Sequence, residues 1–270
     1  MRGGQRVAIS GVKCELQGRW YLHPESVWTV VGLAMMKVSP RCMNDPEMRT
    51  MIQLHYYPST AAMAPHILLR ELGVPFELLL VDRTQNAQRM TAYLKLNPNG
   101  LIPVLTDGGL VLYEAAAICL HLCDTHPAAG LAPAVGTAER AHFYKWLMWL
   151  TNTLQATLIT YFYPERWVNT GNASGVAQVK AQAEIKVGLL LDQLDAELAR
   201  QGQIHTAPWL LGASYSAVDI YALMLCRWTR NFESTPARDK AHLGPYLQRL
   251  LARPAVVSAF EVEGLAQPWV

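Results

Sequence analysis

The first strand–helix–strand unit of the chain spans residues 52–81, which read IQLHYYPSTAAMAPHILLRELGVPFELLLV. Ile52 to Tyr57 predicts a short buried strand, and the apolar spacing from Ala64 to Leu72 predicts a helix. Gly73 ends that helix, and Phe76 to Val81, rich in Leu and Val, predicts a second strand. Because a βαβ crossover is right-handed, we expect the two strands to be parallel with the helix on one face of the sheet.

The next forty residues predict two further strands and two further helices. A short helix is expected around Thr91 to Leu96. Ile102 to Thr106 and Leu110 to Tyr113 flank Asp107-Gly108-Gly109, whose composition is typical of a tight antiparallel hairpin. A third helix is expected from Glu114 to about Asp124. The first module is therefore predicted to be α+β, with the element order βαβ-ββα, and to occupy residues 51–127.

The second module is predicted to contain only helices. Residues 128–136 are rich in Ala, Gly and Pro without periodicity, which is typical of a linker. From residue 137 to residue 270 no alternating strand pattern occurs, and the apolar spacing is helical. The predicted helices cover Ala138–Tyr163, Val176–Arg200, Ser216–Arg230 and Leu243–Leu251. An all-α domain is therefore expected to follow the α+β domain.

Residues 1–50 differ from the rest of the chain. Their apolar run, Val27 to Met36, is too short to cross a bilayer, and the order of their regions is not that of a signal peptide. The regular pattern begins at Met51. We expect residues 1–50 to be a disordered leader, or Met51 to be the true start.

Composition narrows the class of partner. The formal net charge of the 270-residue chain is +2 and only 16% of residues are charged, which argues against a nucleic-acid partner. The five cysteines are scattered and form no Cys-x-x-Cys pair, which argues against a disulfide framework and a zinc ribbon. We therefore expect a protein of the cytoplasm that binds a small molecule, with no metal and no membrane partner.

Four motifs in order resemble those of bacterial glutathione S-transferases of the beta and nu-like classes. They are Leu54–Ser59 with Ala64–Glu77, Asn97–Leu105, Tyr113–Ile118, and the capping box Ser216–Asp219. The resemblance runs from Met51 to Val270. It implies a thioredoxin-like first domain, glutathione as co-substrate, a small hydrophobic electrophile as second substrate, and a homodimer.

The resemblance also implies where glutathione binds. The family has a cis-proline at the position of Pro103, so that the backbone of Ile102 can pair with an extended peptide laid beside the sheet. At the start of the third helix, the N–H groups of Glu114 and Ala115 would form an anion site for the γ-glutamyl carboxylate. The family usually has Ser or Gly where this chain has Ala115. Asn99 completes the predicted glutathione-binding set.

Catalysis by such an enzyme needs a donor that stabilises the glutathione thiolate. The beta class has cysteine and the delta class serine at the position that Ala61 occupies here, so neither mechanism is expected. Ser59 matches the nu-class hydroxyl position and Tyr56 matches tyrosine-type enzymes. We expect Ser59 first, then Tyr56, then Thr60 as the catalytic hydroxyl. Ser59 can equally be a turn or helix-cap residue.

The aromatic helix after the linker is expected to line the electrophile pocket, through Tyr144, Trp149 and Asn152. Three functions stay open on this fold. The first is conjugation of glutathione to a hydrophobic electrophile. The second is glutathione-dependent reduction of a disulfide or peroxide, and the third is a non-catalytic binding role.

Overall fold

The computed structural model describes residues 27–31, 34–38, 51–234 and 236–270. The chain divides into two compact units, Met1–Thr50 and Met51–Val270. In the first unit the structure describes the backbone of one antiparallel ribbon, β1 (Val27–Val31) with β2 (Ala34–Val38). The rest of the predicted leader lies outside the described residues, and its disorder stays a prediction.

A mixed four-stranded sheet forms the first half of the second unit. Its strands are β3 (Ile52–Tyr56), β4 (Phe76–Leu80), β5 (Val104–Asp107) and β6 (Leu110–Tyr113), in the spatial order β4-β3-β5-β6. The predicted parallel pairing of β3 with β4 is confirmed, and β5 runs antiparallel to β3 and β6. Asp107 faces Leu110 across the hairpin, whose turn contains Gly108 at a φ of 59°.

Three helices belong to this sheet. They are α1 (Met63–Leu72), α2 (Thr91–Leu94) and α3 (Ala115–Thr125). The first begins after the turn and ends at Gly73, which adopts a left-handed φ of 65° and donates its N–H to the Arg70 carbonyl. The predicted order βαβ-ββα is therefore confirmed.

The remaining helices form the second half. They are α4 (Ala138–Trp149), α5 (Ala156–Phe162), α6 (Ala173–Gly202), α7 (Ala217–Trp228), α8 (Leu243–Leu251) and α9 (Pro254–Val262). A π-helical segment, Leu150–Gln155, joins α4 to α5, so the predicted long helix is continuous but changes its winding. The sequence patterns did not predict α9, which begins with Pro254 at its first turn. Among the described residues, no helix is both long and apolar enough to cross a membrane.

One hydrophobic core joins the sheet to the helices. In α7 every residue from Ala217 to Arg227 is buried, and in α1 every residue from Met63 to Leu69 is buried. Helix α1 packs against α3, α7 and α9 as well as against the sheet strand β3. Because α1 has no free face along this stretch, each polar group on it needs a partner inside the protein.

A buried carboxylate at the end of α9 supplies such a partner. Glu263 accepts from His66 Nδ1 at 2.8 Å through one oxygen and from the Ser59 backbone N–H at 2.9 Å through the other. The opposite ring nitrogen of His66 accepts from Arg70 Nε at 2.9 Å. His66 must therefore carry its proton on Nδ1, and the last helix holds the turn before α1 in place.

The predicted capping box of α7 is also present. Asp219 is fully buried and accepts from the backbone N–H of Ser216 and of Leu210, from the Ser216 hydroxyl and from Tyr246 Oη. Burial raises the pKa of Asp219 to about 6, which leaves the carboxylate ionised at neutral pH. Ser216 and Asp219 thus serve the scaffold, as the sequence predicted.

We predict that Asp219→Asn lowers the free energy of unfolding by roughly 2–4 kcal/mol, because the amide nitrogen must face donors that the carboxylate now satisfies. Urea titration followed by circular dichroism measures the change. Asp239→Asn is the matched control, since its side chain is 57% exposed, and it should shift stability by less than about 0.5 kcal/mol. Equal urea midpoints for the two variants would contradict the prediction.

We predict that Glu263→Gln lowers the free energy of unfolding by roughly 2–3 kcal/mol. The reason is that either the Ser59 N–H or the His66 Nδ1–H, which both donate to the carboxylate, would then face the amide NH₂ group. The exposed neighbour Glu261 gives the control variant Glu261→Gln. Thermal and urea unfolding should separate the two. A Glu263→Gln protein as stable as Glu261→Gln would show that the carboxylate does not hold the turn.

Candidate functional site

Two adjoining cavities lie in the cleft between the sheet and the helices. The first has a volume of about 510 Å³ and the second about 370 Å³. Both are lined by Ala61, Leu101, Ile102, Gln155 and Ile159, so they form one continuous cleft. The sheet loops supply one wall and α5 with its neighbours supplies the other. A cleft of this kind is the usual place for a ligand site.

The loop before β5 is held rigidly on the sheet side. The Leu101 carbonyl accepts from Tyr93 Oη and from Asn97 Nδ2, each at 2.8 Å. Burial raises the pKa of Tyr93, which keeps its phenol protonated and able to donate. Gly100 has a φ of 61°, and a Cβ there would meet Arg89 and the Gln88 carbonyl at 2.9 Å. Only glycine fits this turn.

Ile102 follows directly and offers its backbone to the cleft. The Ile102–Pro103 peptide bond is cis, as the resemblance implied. Within the described chain, neither the N–H nor the carbonyl of Ile102 has a protein hydrogen-bond partner. Ile102 and Pro103 both line the second cavity. An extended peptide could therefore pair with Ile102 as an added strand does.

The start of α3 lies in the same cavity. Glu114 is the N-cap residue, with an unusual φ of 72°, and its side chain is exposed. The N–H groups of the first turn have no partner within the helix. Glu114, Ala115 and Ala116 all line the cavity. These amides suit an anion, and the Glu114 carboxylate beside them suits a cation.

The three candidate hydroxyls differ in position. Ser59 lines the first cavity at a φ of 61°, and its hydroxyl has no partner among the residues the structure describes. Thr60 lines the same cavity, but its hydroxyl donates to the Tyr57 carbonyl at 2.6 Å. Tyr56 packs against the core with its ring 6.2 Å from the His66 ring, and it lines neither cavity. Of the three, Ser59 alone combines access to the cleft with a free hydroxyl.

Gln155 is a polar residue of the cleft that the sequence patterns did not indicate. It lines both cavities at the end of the π-helical segment, and π-helical turns frequently occur at functional sites. Its amide oxygen accepts from the buried Tyr221 hydroxyl at 2.6 Å. Burial raises the pKa of Tyr221, so that phenol stays a donor. The Gln155 amide N–H groups remain available to the cleft.

Of the three residues predicted to line an electrophile pocket, the structure brings one to the cleft. Asn152 lines the second cavity, but Tyr144 and Trp149 line neither. Tyr144 lies against the Arg140 guanidinium, and Trp149 stacks edge-on against Trp146. The aromatic residues that line the first cavity are Phe162, Tyr163 and Trp228. Helical periodicity identified an aromatic helix, but which face meets the cleft depends on packing.

Asn99 also lines neither cavity, and its carbonyl accepts from Arg89 Nη1 at 3.2 Å. The cysteines among the described residues are buried. Burial raises the pKa of Cys119 well above its usual range and that of Cys226 to about 12, so both stay protonated thiols. In that part of the chain no group of three residues is placed to hold a metal ion.

Comparison with known proteins matches both halves of the unit. A family model described as glutathione S-transferase, N-terminal domain, matches residues 58–125. A second, described as glutathione S-transferase, C-terminal domain, matches residues 150–254. The two lie in the order in which the α+β and helical halves occur.

Individual proteins are similar over nearly the whole unit. A glutathione S-transferase of Xanthomonas campestris pv. campestris is 28% identical over 214 residues, covering 79% of this chain and 100% of that protein. The disulfide-bond oxidoreductase YfcG of Escherichia coli K12 is 27% identical over 220 residues, covering 77% and 94%. The structure of a sphingomonad glutathione S-transferase complexed with glutathione is 32% identical with a TM-score of 0.66, covering 79% and 100%. With both family domains matched around the cleft described above, the chain belongs to the glutathione S-transferase family, as a glutathione transferase enzyme.

Proposed function

We propose that the protein conjugates the glutathione thiolate to a small electrophile bound in the first cavity. The observation that carries this proposal is the free backbone of Ile102 beside the amides of Ala115, in a cleft that opens directly into a larger cavity with aromatic walls. The peptide part of glutathione pairs with Ile102. Its γ-glutamyl carboxylate meets the first turn of α3, and its ammonium meets Glu114.

In this arrangement the sulfur lies near the residues shared by the two cavities. The Ser59 hydroxyl donates to the thiolate, and the Gln155 amide is a second donor on the opposite wall. Such donors lower the pKa of the glutathione thiol, so that more of it is thiolate at neutral pH. Thr60 is less suited, because its hydroxyl proton already bonds to Tyr57.

We predict that Ser59→Ala lowers kcat/KM for 1-chloro-2,4-dinitrobenzene roughly 10- to 100-fold at pH 6.5, because a donor to the developing charge is lost. The loss should shrink toward pH 9, where the thiol ionises without help. The pH profile of kcat/KM measures the pKa of the bound thiol, which should rise. Ser174→Ala, an exposed serine at the start of α6, is the control and should leave the profile unchanged.

The competing hydroxyls are tested in the same assay. If Tyr56→Phe or Thr60→Ala shifts the pH profile more than Ser59→Ala does, the assignment of Ser59 is wrong. If none of the three hydroxyl variants shifts the profile but Gln155→Ala does, the Gln155 amide is the main donor. An unchanged profile in all four variants would overturn thiolate stabilisation by these residues.

Glutathione-dependent reduction of a disulfide is the second candidate. It is favoured by the likeness to the oxidoreductase YfcG and by the absence of a cysteine at Ala61. Turnover of hydroxyethyl disulfide with glutathione, together with no reaction of the aryl halide, would favour reduction over conjugation. We also propose a cytoplasmic homodimer, which sedimentation analysis and cell fractionation test.

A further inference from the structure

The side chains that line the first cavity carry several positive charges. Four arginines line it, Arg83 and Arg89 from the sheet side and Arg166 and Arg230 from the helical side. No Asp or Glu among the described residues lines this cavity. The whole chain, in contrast, is nearly neutral, with 23 basic and 21 acidic side chains. The cavity is therefore a local excess of positive charge and not a reflection of average composition.

These four guanidinium groups have no anionic partner among the residues that the structure describes. Within the described ranges, none lies within 4.0 Å of a carboxylate. Asp82, next to Arg83 in sequence, accepts instead from the backbone and hydroxyl of Thr84. An arginine has five N–H donors, so single bonds to neutral groups leave most of them free.

The two helix-side arginines, Arg166 and Arg230, make different contacts. Arg166 stacks over the Tyr163 ring, with its Cζ 4.0 Å from the ring centroid. Arg230 donates to the Arg227 carbonyl at 3.1 Å. Burial and then the charge of Arg230 lower the pKa of Arg227 to about 10. Arg230 and the buried Arg227 thus lie close together, and an anion bound to Arg230 would reduce the repulsion between them.

The apolar part of the cavity lies beside these charges. Phe162 is 44% exposed there although it is a large apolar side chain, and Trp228 and Ile159 continue the surface. Exposed aromatic surface next to arginines that have no carboxylate partner in the described part of the chain suits a ligand that is flat and apolar at one end and anionic at the other.

Glutathione itself carries a carboxylate at its glycine end, and under the proposed function this carboxylate is assigned to Arg89, on the sheet wall. Arg89 bonds to the Asn99 carbonyl beside Gly100, on the loop that leads to Ile102. Arg166 and Arg230 belong to the opposite wall and are left for the second substrate.

We propose that the second substrate is an aromatic electrophile that carries a carboxylate or similar anionic group, which Arg166 and Arg230 bind. This inference rests on the proposed conjugation and names its substrate class. The sequence predicted a small hydrophobic electrophile, and the proposal adds an anionic group to it.

In the reaction used as a test, the thiolate sulfur attacks the ring carbon that bears chlorine. A C–S bond forms, the C–Cl bond breaks, chloride leaves with the bonding pair, and the thiol proton goes to solvent.

The test compares two aryl chlorides that differ in charge. They are the anionic 4-chloro-3,5-dinitrobenzoate and the neutral 1-chloro-2,4-dinitrobenzene, each corrected for its uncatalysed rate with glutathione. We expect the ratio of kcat/KM, anionic to neutral, to fall at least about tenfold in Arg166→Met/Arg230→Met. In the wild type the ratio should also fall when sodium chloride is raised from roughly 0.05 to 0.5 M. Arg200→Met is the control, because Arg200 is an exposed α6 residue paired with Glu197, and its ratio should be unchanged.

An unchanged anionic-to-neutral ratio of kcat/KM in the double variant, with or without an equal loss for both chlorides, would overturn the proposal. A raised KM for glutathione with both substrates would show that these arginines bind glutathione, which also overturns it. Calorimetric binding of 3,5-dinitrobenzoate, which has no leaving group, separates this inference from the proposed function. If the wild type binds it at least about tenfold more tightly than the double variant but conjugates neither chloride, the anion site stands and conjugation fails. If the two proteins bind it equally, the anion site is refuted whatever the activity.

Discussion

Helix α1 is buried on every side along most of its length, and this constraint shapes the cleft. A helix enclosed by its own sheet and by the second half of the chain cannot leave a polar group unpaired. His66, fully buried, therefore needs a partner at each ring nitrogen, and Arg70 and Glu263 supply them. The second oxygen of Glu263 then captures the Ser59 N–H. The carboxylate that satisfies the buried His66 thereby also fixes the backbone of the Ser59 turn, which borders the cavity.

A second set of interactions ties the two halves together at the other end of α1. Arg253, at the start of α9, makes two bonds to Glu71, at 2.6 and 2.9 Å, and Tyr215 donates to the same carboxylate. The guanidinium also stacks over the Tyr215 ring at 3.7 Å. With the Glu263 network, these bonds keep the cleft walls at a defined separation. The site is therefore a property of the interface between the halves and of neither half alone.

The two walls of the cleft have different chemical characters. The sheet wall presents backbone groups, in Ile102 and the first turn of α3, and its loops are held by buried bonds such as Asn97 to Leu101. The helical wall presents side chains, including Gln155 and Arg166. Backbone recognition depends little on side-chain identity, whereas the helical wall can vary by substitution. Under the proposed function, the sheet wall recognises glutathione and the helical wall selects its partner.

By itself, the sequence determined what depends on local spacing: the βαβ-ββα order, the helical second half, the tight turn before Pro103 and the capping box at Ser216. These patterns are short-range, since periodicity, glycine and proline act within a few residues. Only the tertiary structure decided which side chains reach the cleft. Tyr144 and Trp149 lie outside the cleft and Gln155 lines it. The Glu263 carboxylate accepts from the backbone N–H of Ser59, 204 residues away in sequence. No local pattern encodes such choices, because each depends on how whole helices rotate and pack against the sheet.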